Sequence, residues 1–387
     1  MRTAVIGLGV LGASAARSLA LAGADVTVLE RRAPLAGTSG TSFAWTNSHN
    51  KNPRSYHDLN VAGMAEHDAL AEEPGPCGPW LARTGNLEWA EDDAGAERLA
   101  ASVAELTGRG YPVEWIGSRR ARELVPDLRV PATDIAFYPT EGHVVPALLL
   151  ARLWGEARDR GARLRCPAEV TGLSEVDGGV RVSLSGGDAT VFDAVVIATG
   201  RWTEAVTAAA GHRVAMAPPD VAGSATVGLL GYTNPLPARL HRVLTTPALN
   251  VRPDGGGRLV VQGLDLDADA DPAAPPPADG EHARKLCARL TGLLDGTAGA
   301  RLESLRVGQR AMPADGLTAA GFLGGSDRIY AMATHSGITL GPLLGRLAAQ
   351  ELTTGRPVDA LTDFRPDRLL GRADLPPLRP ARFAGQQ

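Results

Sequence analysis

The chain has 387 residues, 44% of them apolar, and a formal charge of −4 from 39 basic and 43 acidic side chains. This size and composition predict a globular protein with room for two domains, and charges scattered without a basic block exclude an extended nucleic-acid surface and favour a small-molecule partner. Cys77, Cys166 and Cys287 are too far apart for a metal or disulfide motif, and no apolar run is long enough for a signal or membrane segment, so we expect a cytoplasmic protein without a metal site.

The first predicted elements surround the glycine-rich stretch V-I-G-L-G-V-L-G-A-S at Val5–Ser14. The apolar run Thr3–Ile6 predicts a buried parallel strand, apolar residues at helical spacing follow from Leu11 to Ala22, and Asp25–Leu29 predicts a second strand. A strand, a turn, a helix and a strand within about thirty residues are typical of the first half of a dinucleotide-binding fold.

Three glycines in this stretch have the spacing G-x-G-x-x-G. Gly7 permits the tight turn, Gly9 lets the backbone approach a pyrophosphate, and Gly12 allows the helix to pack closely on the sheet. Glu30 follows the second strand, where a carboxylate accepts hydrogen bonds from ribose hydroxyls. Arg31 beside it is nevertheless compatible with a ribose that carries a 2′-phosphate. The pattern alone leaves a nicotinamide dinucleotide, a flavin and a structural turn as alternatives.

The later part of the chain alternates between predicted helices, strands and loops. In chain order the predictions are an irregular polar loop Gly37–Asn52, a helix from near Tyr56, strands Asn86–Ala90 and Val113–Ile116, a helix around Ala94–Leu106, a short helix capped by Ser118 and ending before Pro126, a helix Ala147–Arg160 begun by Pro146, a strand Arg163–Cys166, a hairpin, strands Val191–Gly200, Thr226–Leu230 and Arg258–Val261, a solvated loop Asp267–Gly280, a strand Arg328–Ala333 and a helix Pro342–Thr353. Segments of the nucleotide-binding type thus occur at the start, middle and end, which indicates interleaved domains.

Three segments together carry a resemblance to a known family. They are Ile197-Ala198-Thr199-Gly200, the segment Val307–Gly316 (V-G-Q-R-A-M-P-A-D-G), and the strand and turn Ile329–Pro342. Their order after the N-terminal fingerprint resembles the glycine oxidase, D-amino-acid oxidase and sarcosine oxidase family of FAD enzymes. The resemblance reaches across most of the chain.

The resemblance implies a fold and a domain division. The expected fold is an α/β FAD-binding Rossmann-like domain interleaved with an α+β substrate domain built on a mainly antiparallel sheet. Residues 1–80, 138–214 and 306–387 would form the FAD-binding domain, and residues 81–137 and 215–305 the substrate-binding domain. Because no cysteine lies near Arg310 or His335, where some relatives attach their flavin, FAD is expected to be noncovalent.

The resemblance also implies site residues. Arg310 would bind the substrate carboxylate with its planar guanidinium, and His335 would share that role or contact the flavin. Asn250, Arg252 and Tyr232 are weaker candidates for substrate contact. The residues implied for cofactor contact are Gly7, Gly9, Val10, Leu11, Gly12, Glu30, Arg31, Ser39, Thr41, Ser42, Ala44, Trp45, Thr46, Asn47, Val170, Thr199, Gly200, Trp202, Arg310, Ser336, Gly337, Ile338, Thr339 and Leu340.

The implied activity is oxidation of an amino acid, with a glycine or an N-substituted glycine favoured. Hydride transfer to flavin, hydrolysis of the imine to glyoxylate and an amine, and reoxidation by oxygen to hydrogen peroxide would complete the cycle. A D-amino-acid oxidase or dehydrogenase, an NAD-dependent dehydrogenase and a non-catalytic flavin-binding protein remain alternatives. The sequence does not indicate an oligomeric state.

Overall fold

The computed structural model describes residues 1–129 and 134–386. Its helices are α1 (Val10–Leu21), α2 (Arg54–Glu72), α3 (Asp93–Gly108), α4 (Ser118–Leu124), α5 (Pro146–Asp159), α6 (Thr203–Ala208), α7 (Glu281–Leu293) and α8 (Gly337–Thr354). Its strands are β1 (Arg2–Ile6), β2 (Asp25–Leu29), β3 (Trp45–Thr46), β4 (Leu81–Ala82), β5 (Asn86–Glu88), β6 (Glu114–Ile116), β7 (Ile135–Tyr138), β8 (Gly142–Val144), β9 (Arg163–Arg165), β10 (Val170–Val176), β11 (Gly179–Leu184), β12 (Ala189–Phe192), β13 (Ala194–Ile197), β14 (Val227–Thr233), β15 (Val243–Thr245), β16 (Asn250–Pro253), β17 (Leu259–Gln262), β18 (Leu302–Gln309), β19 (Ala319–Phe322) and β20 (Ile329–Ala333).

A six-stranded sheet carries the glycine-rich turn. Its spatial order is β19-β20-β13-β1-β2-β9, and all pairs are parallel except β19 with β20. One face buries apolar side chains against α1, α5 and α8, and the other packs on a three-stranded antiparallel sheet of β10, β11 and β12. Strands covered on both faces explain why β1 and β13 are almost continuously apolar.

The turn between β1 and α1 depends on two glycines. Gly7 has a φ of +99°, and a Cβ atom there would lie 2.6 Å from the carbonyl oxygen of Ala198. A Cβ atom on Gly12 would lie 2.0 Å from the carbonyl oxygen of Gly7. Both positions therefore exclude a side chain, and the predicted strand, turn, helix and strand are confirmed.

An eight-stranded sheet forms the second large unit. Its order is β18-β14-β17-β16-β15-β5-β7-β6, and its pairs are antiparallel except the parallel pair of β15 with β5. Apolar side chains of this sheet form a separate core with α4 and α7. The expected fold class is confirmed, whereas the division of the chain into domains by residue range stays a prediction.

Two predicted segments differ from the structure. The expected single strand Val191–Gly200 is two strands, because Asp193 separates β12 from β13 and the two strands belong to different sheets. The expected solvated loop Asp267–Gly280 is wrong at its first residue. Asp267 is buried, and its carboxylate accepts a hydrogen bond from Arg310 instead of being solvated.

Two helix starts also differ. Ser118 is the first residue of α4, and Gly117 is its cap. Helix α8 begins at Gly337 instead of Pro342, which lies inside it. A proline in a helix interior leaves the carbonyl four residues earlier without its usual donor. Here that carbonyl belongs to Ile338, and His67 Nε2 donates to it over 2.7 Å.

The helices of the described residues are each too short or too polar to cross a membrane.

Candidate functional site

Two cavities meet at the carboxyl end of β20. The first is lined by the β1–α1 turn, by residues 29–39 and by residues 168–171 and 198–209, and the second lies between residues 41–51 and the face of the eight-stranded sheet. They hold about 1360 Å³ and about 1140 Å³ of unfilled space, open mouths included. The residues that line both are Thr38, Ser42, His335 and Ile338. The two cavities therefore adjoin at these four residues.

The first cavity begins at the N-terminus of α1. Gly9 caps this helix without a side-chain hydrogen bond, and the N–H of Val10 donates to Ser39 Oγ over 3.1 Å. Glu30 fixes the turn from the other side, since its Oε2 accepts from Leu8 N at 2.8 Å and its Oε1 from Arg32 N at 2.9 Å. Because helix N-termini present N–H groups and a positive dipole, this end suits a phosphate.

An aromatic and arginine cluster lies at the other end of the first cavity. The guanidinium carbons of Arg201, Arg31 and Arg32 lie 3.9, 4.6 and 5.0 Å from the ring centroid of Trp202. Burial and the charge of Arg32 lower the pKa of Arg201 to about 10, which leaves it protonated at neutral pH. This part of the cavity therefore combines a flat apolar surface with several cations, and such a combination suits the base and the phosphates of a nucleotide.

The turn Thr334–Ser336 forms the junction of the cavities. Ser336 Oγ and Tyr56 OH share a hydrogen bond of 2.8 Å, and Thr334 Oγ1 shares one of 2.8 Å with Thr318 Oγ1, so the turn is held from two sides. Helix α8 begins directly after it without a side-chain cap. Burial, helped by the charges of Lys51 and Arg310, lowers the pKa of His335 well below its usual value, so its imidazole is neutral.

Arg310 reaches the second cavity from the end of β18. Its Nη1 donates to the carbonyls of Ala225, at 2.9 Å, and Val227, and its Nη2 donates to Asp267 Oδ2 at 2.9 Å. A guanidinium has more N–H donors than these three bonds use. Arg310 can therefore still bind a planar anion, although Asp267 already balances its charge. Burial raises the pKa of Asp267, and the Arg310 charge opposes that effect.

Lys51 lines the same cavity and is 3% exposed. Among the described residues, no acceptor forms a hydrogen bond or an ion pair with its ammonium group. Burial lowers the pKa of Lys51 to about 7, although the charge of Glu141 opposes the effect. The chain has only two lysines, Lys51 and Lys285, so composition could have drawn attention to Lys51.

Most residues implied by the sequence lie along the two cavities. Those lining the first are Gly7, Gly9, Val10, Leu11, Glu30, Arg31, Ser39, Ser42, Val170, Thr199, Gly200, Trp202, His335, Gly337 and Ile338. Those lining the second are Thr41, Ser42, Ala44, Trp45, Asn47, Asn250, Arg310, His335, Ser336, Ile338 and Thr339. Gly12, Thr46 and Leu340 lie behind these surfaces and support them.

The structure does not bring Arg252 and Tyr232 to either cavity. Arg252 is 1% exposed, and it donates to the carbonyls of Phe43 and Pro253 and to Asp254 Oδ1. Tyr232 packs under the guanidinium of Arg306, 4.6 Å from the ring centroid. These contacts join Arg252 and Tyr232 to other parts of the protein, and their expected substrate contacts stay a prediction.

Several lining residues were not found by sequence reasoning. They are Lys51, Gln262 and several of the irregular C-terminal residues 379–386, which line the second cavity. The Arg310 partner Asp267 was not found either. The described residues contain no cluster of His, Cys, Asp and Glu suited to a metal ion.

One family model matches most of the chain. The family described as FAD dependent oxidoreductase (DAO) matches residues 2–351. The tRNA 5-methylaminomethyl-2-thiouridine biosynthesis bifunctional protein MnmC of Thiobacillus denitrificans is 30% identical over 99% of this chain, which spans only 60% of that relative. Glycine oxidase from Geobacillus kaustophilus superimposes with a TM-score of 0.80 at 23% identity, covering 95% of this chain and 98% of that one. Iminodiacetate oxidase from Chelativorans sp. BNC1 has a TM-score of 0.77 at 22% identity, covering 95% of this chain and 99% of that one.

Proposed function

The chain belongs to the DAO family of FAD-dependent oxidoreductases, which act on amines or amino acids, and from this premise we propose that it oxidises glycine or an N-substituted glycine. The observation that carries the proposal is the second cavity, which adjoins the first and combines cations with unpartnered acceptors. The curated relative includes a part that this chain does not span, so nothing is inferred from its whole activity.

The first cavity fits FAD. Side chains are excluded at Gly7 and Gly12, which keeps the turn tight, and the uncapped N-terminus of α1 at Gly9 would face a pyrophosphate. Trp202 and its arginines suit the adenosine and phosphate end, and Glu30 suits the ribose. The junction at His335 would then receive the isoalloxazine ring, noncovalently. Bound FAD supplies the acceptor for a hydride.

The second cavity fits a zwitterionic amino acid. Arg310 would hold the carboxylate through the donors that its protein partners leave unused. In the described part of the chain, the side-chain oxygens of Asn47 and Asn250 are buried without a hydrogen-bond partner, and both residues line this cavity. Such oxygens would accept from the amine nitrogen, because a buried acceptor without a partner costs free energy.

A substrate bound at both ends in this way would present the carbon between its two groups to the junction at His335. A hydride leaves this methylene carbon and the nitrogen loses its proton, which gives an imine. Water hydrolyses the imine to glyoxylate and ammonia when the substrate is glycine, or to glyoxylate and a primary amine when it is an N-substituted glycine. Oxygen is the proposed final electron acceptor. Helix α8 begins at the junction, where its N-terminal dipole would stabilise the negative charge gained there.

The test is an absorbance spectrum of the purified protein followed by anaerobic addition of glycine, N-alkylglycines, iminodiacetate, D-alanine and D-proline. We expect a flavin spectrum that N-alkylglycines bleach, with glyoxylate as product and hydrogen peroxide formed after air is admitted. Bleaching by D-amino acids alone would replace the proposed substrate with another class. A protein that binds no FAD, or a flavin that no amine bleaches, would contradict the proposal.

A further inference from the structure

Lys51 is an unusual group to bury in the wall of a cavity. Its side chain is buried, it lines the second cavity, and among the described residues its ammonium group has no hydrogen bond or ion pair. A buried charge without a partner is costly, and such a group loses its charge or acquires a partner when a ligand binds. In the described part of the chain no side chain of the cavity pairs with Lys51, so an anionic ligand bound there would supply its partner.

The charged groups around Lys51 are arranged so that none of them pairs with it. Glu141 is fully buried, and its carboxylate accepts from His49 Nδ1 at 2.8 Å, Tyr111 OH at 2.8 Å and Trp45 Nε1 at 3.0 Å. These donors occupy the carboxylate oxygens of Glu141, so Glu141 influences the pKa of Lys51 through its charge without a hydrogen bond. The charge of Lys51 in turn opposes the rise that Glu141 and Glu88 cause in the pKa of His49, and it adds to the effect of burial in lowering the pKa of His335.

The other titratable groups of the cavity are poorly suited to take a proton at neutral pH. The pKa of His335 lies well below its ordinary value, so His335 would not keep a proton. Asp267 accepts from Arg310 and from Leu229 N, at 2.8 Å, so its oxygens are engaged. Lys51, with a pKa of about 7, is the group that can change its charge in this range.

We propose that the neutral amine of Lys51 accepts the proton of the substrate ammonium nitrogen before hydride transfer, and that the Lys51 ammonium formed then pairs with the substrate carboxylate. The inference rests on the proposed function. One N–H bond of the substrate breaks and one N–H bond of Lys51 forms, so the total charge is conserved. The substrate nitrogen thereby gains the lone pair that must be free when the hydride leaves.

A direct test observes the protonation of Lys51 in the flavin-loaded protein. Lysine labelled with ¹³C at Cε gives two signals, one for each lysine, and Lys51→Met assigns them by removing one. We expect the Lys51 signal to titrate near neutral pH and the exposed Lys285 signal, paired with Glu281 at 2.8 Å, to titrate far higher. Propionate, a carboxylate without an amine, should shift the Lys51 titration to higher pH.

A kinetic test uses anaerobic flavin reduction by an N-alkylglycine across pH 6–10. Lys51→Met should slow reduction at pH 7 by at least about tenfold, because general bases contribute on this order or more. The loss should shrink toward pH 10, where solvent deprotonates an amine whose pKa is about 10. Lys285→Met, on the exposed face of α7, should match the unaltered protein at every pH.

Two results would overturn the inference. One is a Lys51 signal that titrates with that of Lys285 and does not respond to propionate. The other is a Lys51→Met protein whose reduction rate keeps the same pH profile as the unaltered protein. If instead no amine bleaches the flavin of the unaltered protein, the proposed function itself fails, and the two failures are thus distinguishable.

Discussion

Arg310 and Asp267 form an ion pair of 2.9 Å at the wall of the second cavity. The pair joins the end of β18 to a segment that the sequence suggested would be solvated. Asp267 also accepts from Leu229 N at 2.8 Å, so it ties β14 to the same point. The cavity therefore presents a guanidinium whose position is fixed and whose charge is already balanced.

Replacing Asp267 with asparagine should have two opposite effects. An unbalanced Arg310 should lower the free energy of unfolding by about 2 kcal/mol, because a nearly buried charge has lost its partner. The same unbalanced charge should bind propionate more tightly, by about fivefold. Urea unfolding and flavin difference titrations measure the two effects.

Asp265→Asn is the matched control for this variant. Asp265 lies two residues before Asp267 and forms an ion pair of 2.6 Å with Arg289. The side chain of Asp265 is 55% exposed. Exposed pairs contribute about 1 kcal/mol or less. A control that equals Asp267→Asn in both measurements would refute the role given to the buried pair.

Gly228 makes room for this ion pair. A Cβ atom at Gly228 would lie 2.6 Å from both Arg310 Nη2 and Asp267 Oδ2. Gly228→Ala should therefore displace the guanidinium, weaken propionate binding by about tenfold and cost about 2 kcal/mol of stability. Gly172→Ala, also in a strand, is the control because its Cβ would have 3.7 Å to its nearest neighbour. Equal propionate affinity in the two variants would contradict the prediction.

The residues of the proposed cofactor site could be predicted from the sequence because they lie close together along the chain. Gly7, Gly12 and Glu30 act within one strand, turn, helix and strand, where spacing along the chain fixes geometry. The pairing of Asp267 with Arg310 joins residues 43 apart, and no periodicity encodes it. Lys51 was missed for a related reason, since its burial results from packing between separate segments.

Glu30 connects the glycine-rich turn to the second strand. Because Glu30 accepts from Leu8 N and Arg32 N, Glu30→Gln should weaken these two hydrogen bonds and loosen the turn. We expect the dissociation constant of FAD to rise about tenfold, which corresponds to about 1.4 kcal/mol. Fluorescence titration of the apoprotein measures it. Glu281→Gln, on the surface helix α7, should leave it unchanged, and an unchanged constant in Glu30→Gln would exclude this role.

His67 should make stability depend on pH. It is fully buried, and burial lowers its pKa to about 4, against an ordinary value of 6.5. Below pH 6.5 His67 therefore binds a proton more readily in the unfolded chain than in the folded one. The contribution of His67 to the free energy of unfolding is fully present above pH 6.5 and is lost as the pH falls toward 4. Between pH 8 and pH 5 the loss should be about 2 kcal/mol.

His67→Gln isolates this contribution. Glutamine keeps an N–H donor for the carbonyl of Ile338, which Pro342 leaves without a helical partner. Urea unfolding at pH 8 and pH 5 should show a smaller acid loss in this variant than in the unaltered protein. Identical acid losses would mean that His67 does not titrate as proposed. His143, whose pKa burial lowers to about 3, remains in both proteins and cancels in the comparison.

The C-terminal residues 379–386 should control access to the second cavity. Asn50 Nδ2 donates to the carbonyl of Ala384 over 3.0 Å, and the Arg98 guanidinium lies 5.0 Å from the Phe383 ring centroid, so both contacts hold the segment against the cavity that it helps to line. Removing the chain from residue 379 onward should raise iodide quenching of the flavin fluorescence several-fold. Phe383→Ala should raise it less, because the Asn50 contact persists. Equal quenching in the truncated and the full-length protein would show that this segment does not shield the ring, and the opening would then lie elsewhere along the cavity wall.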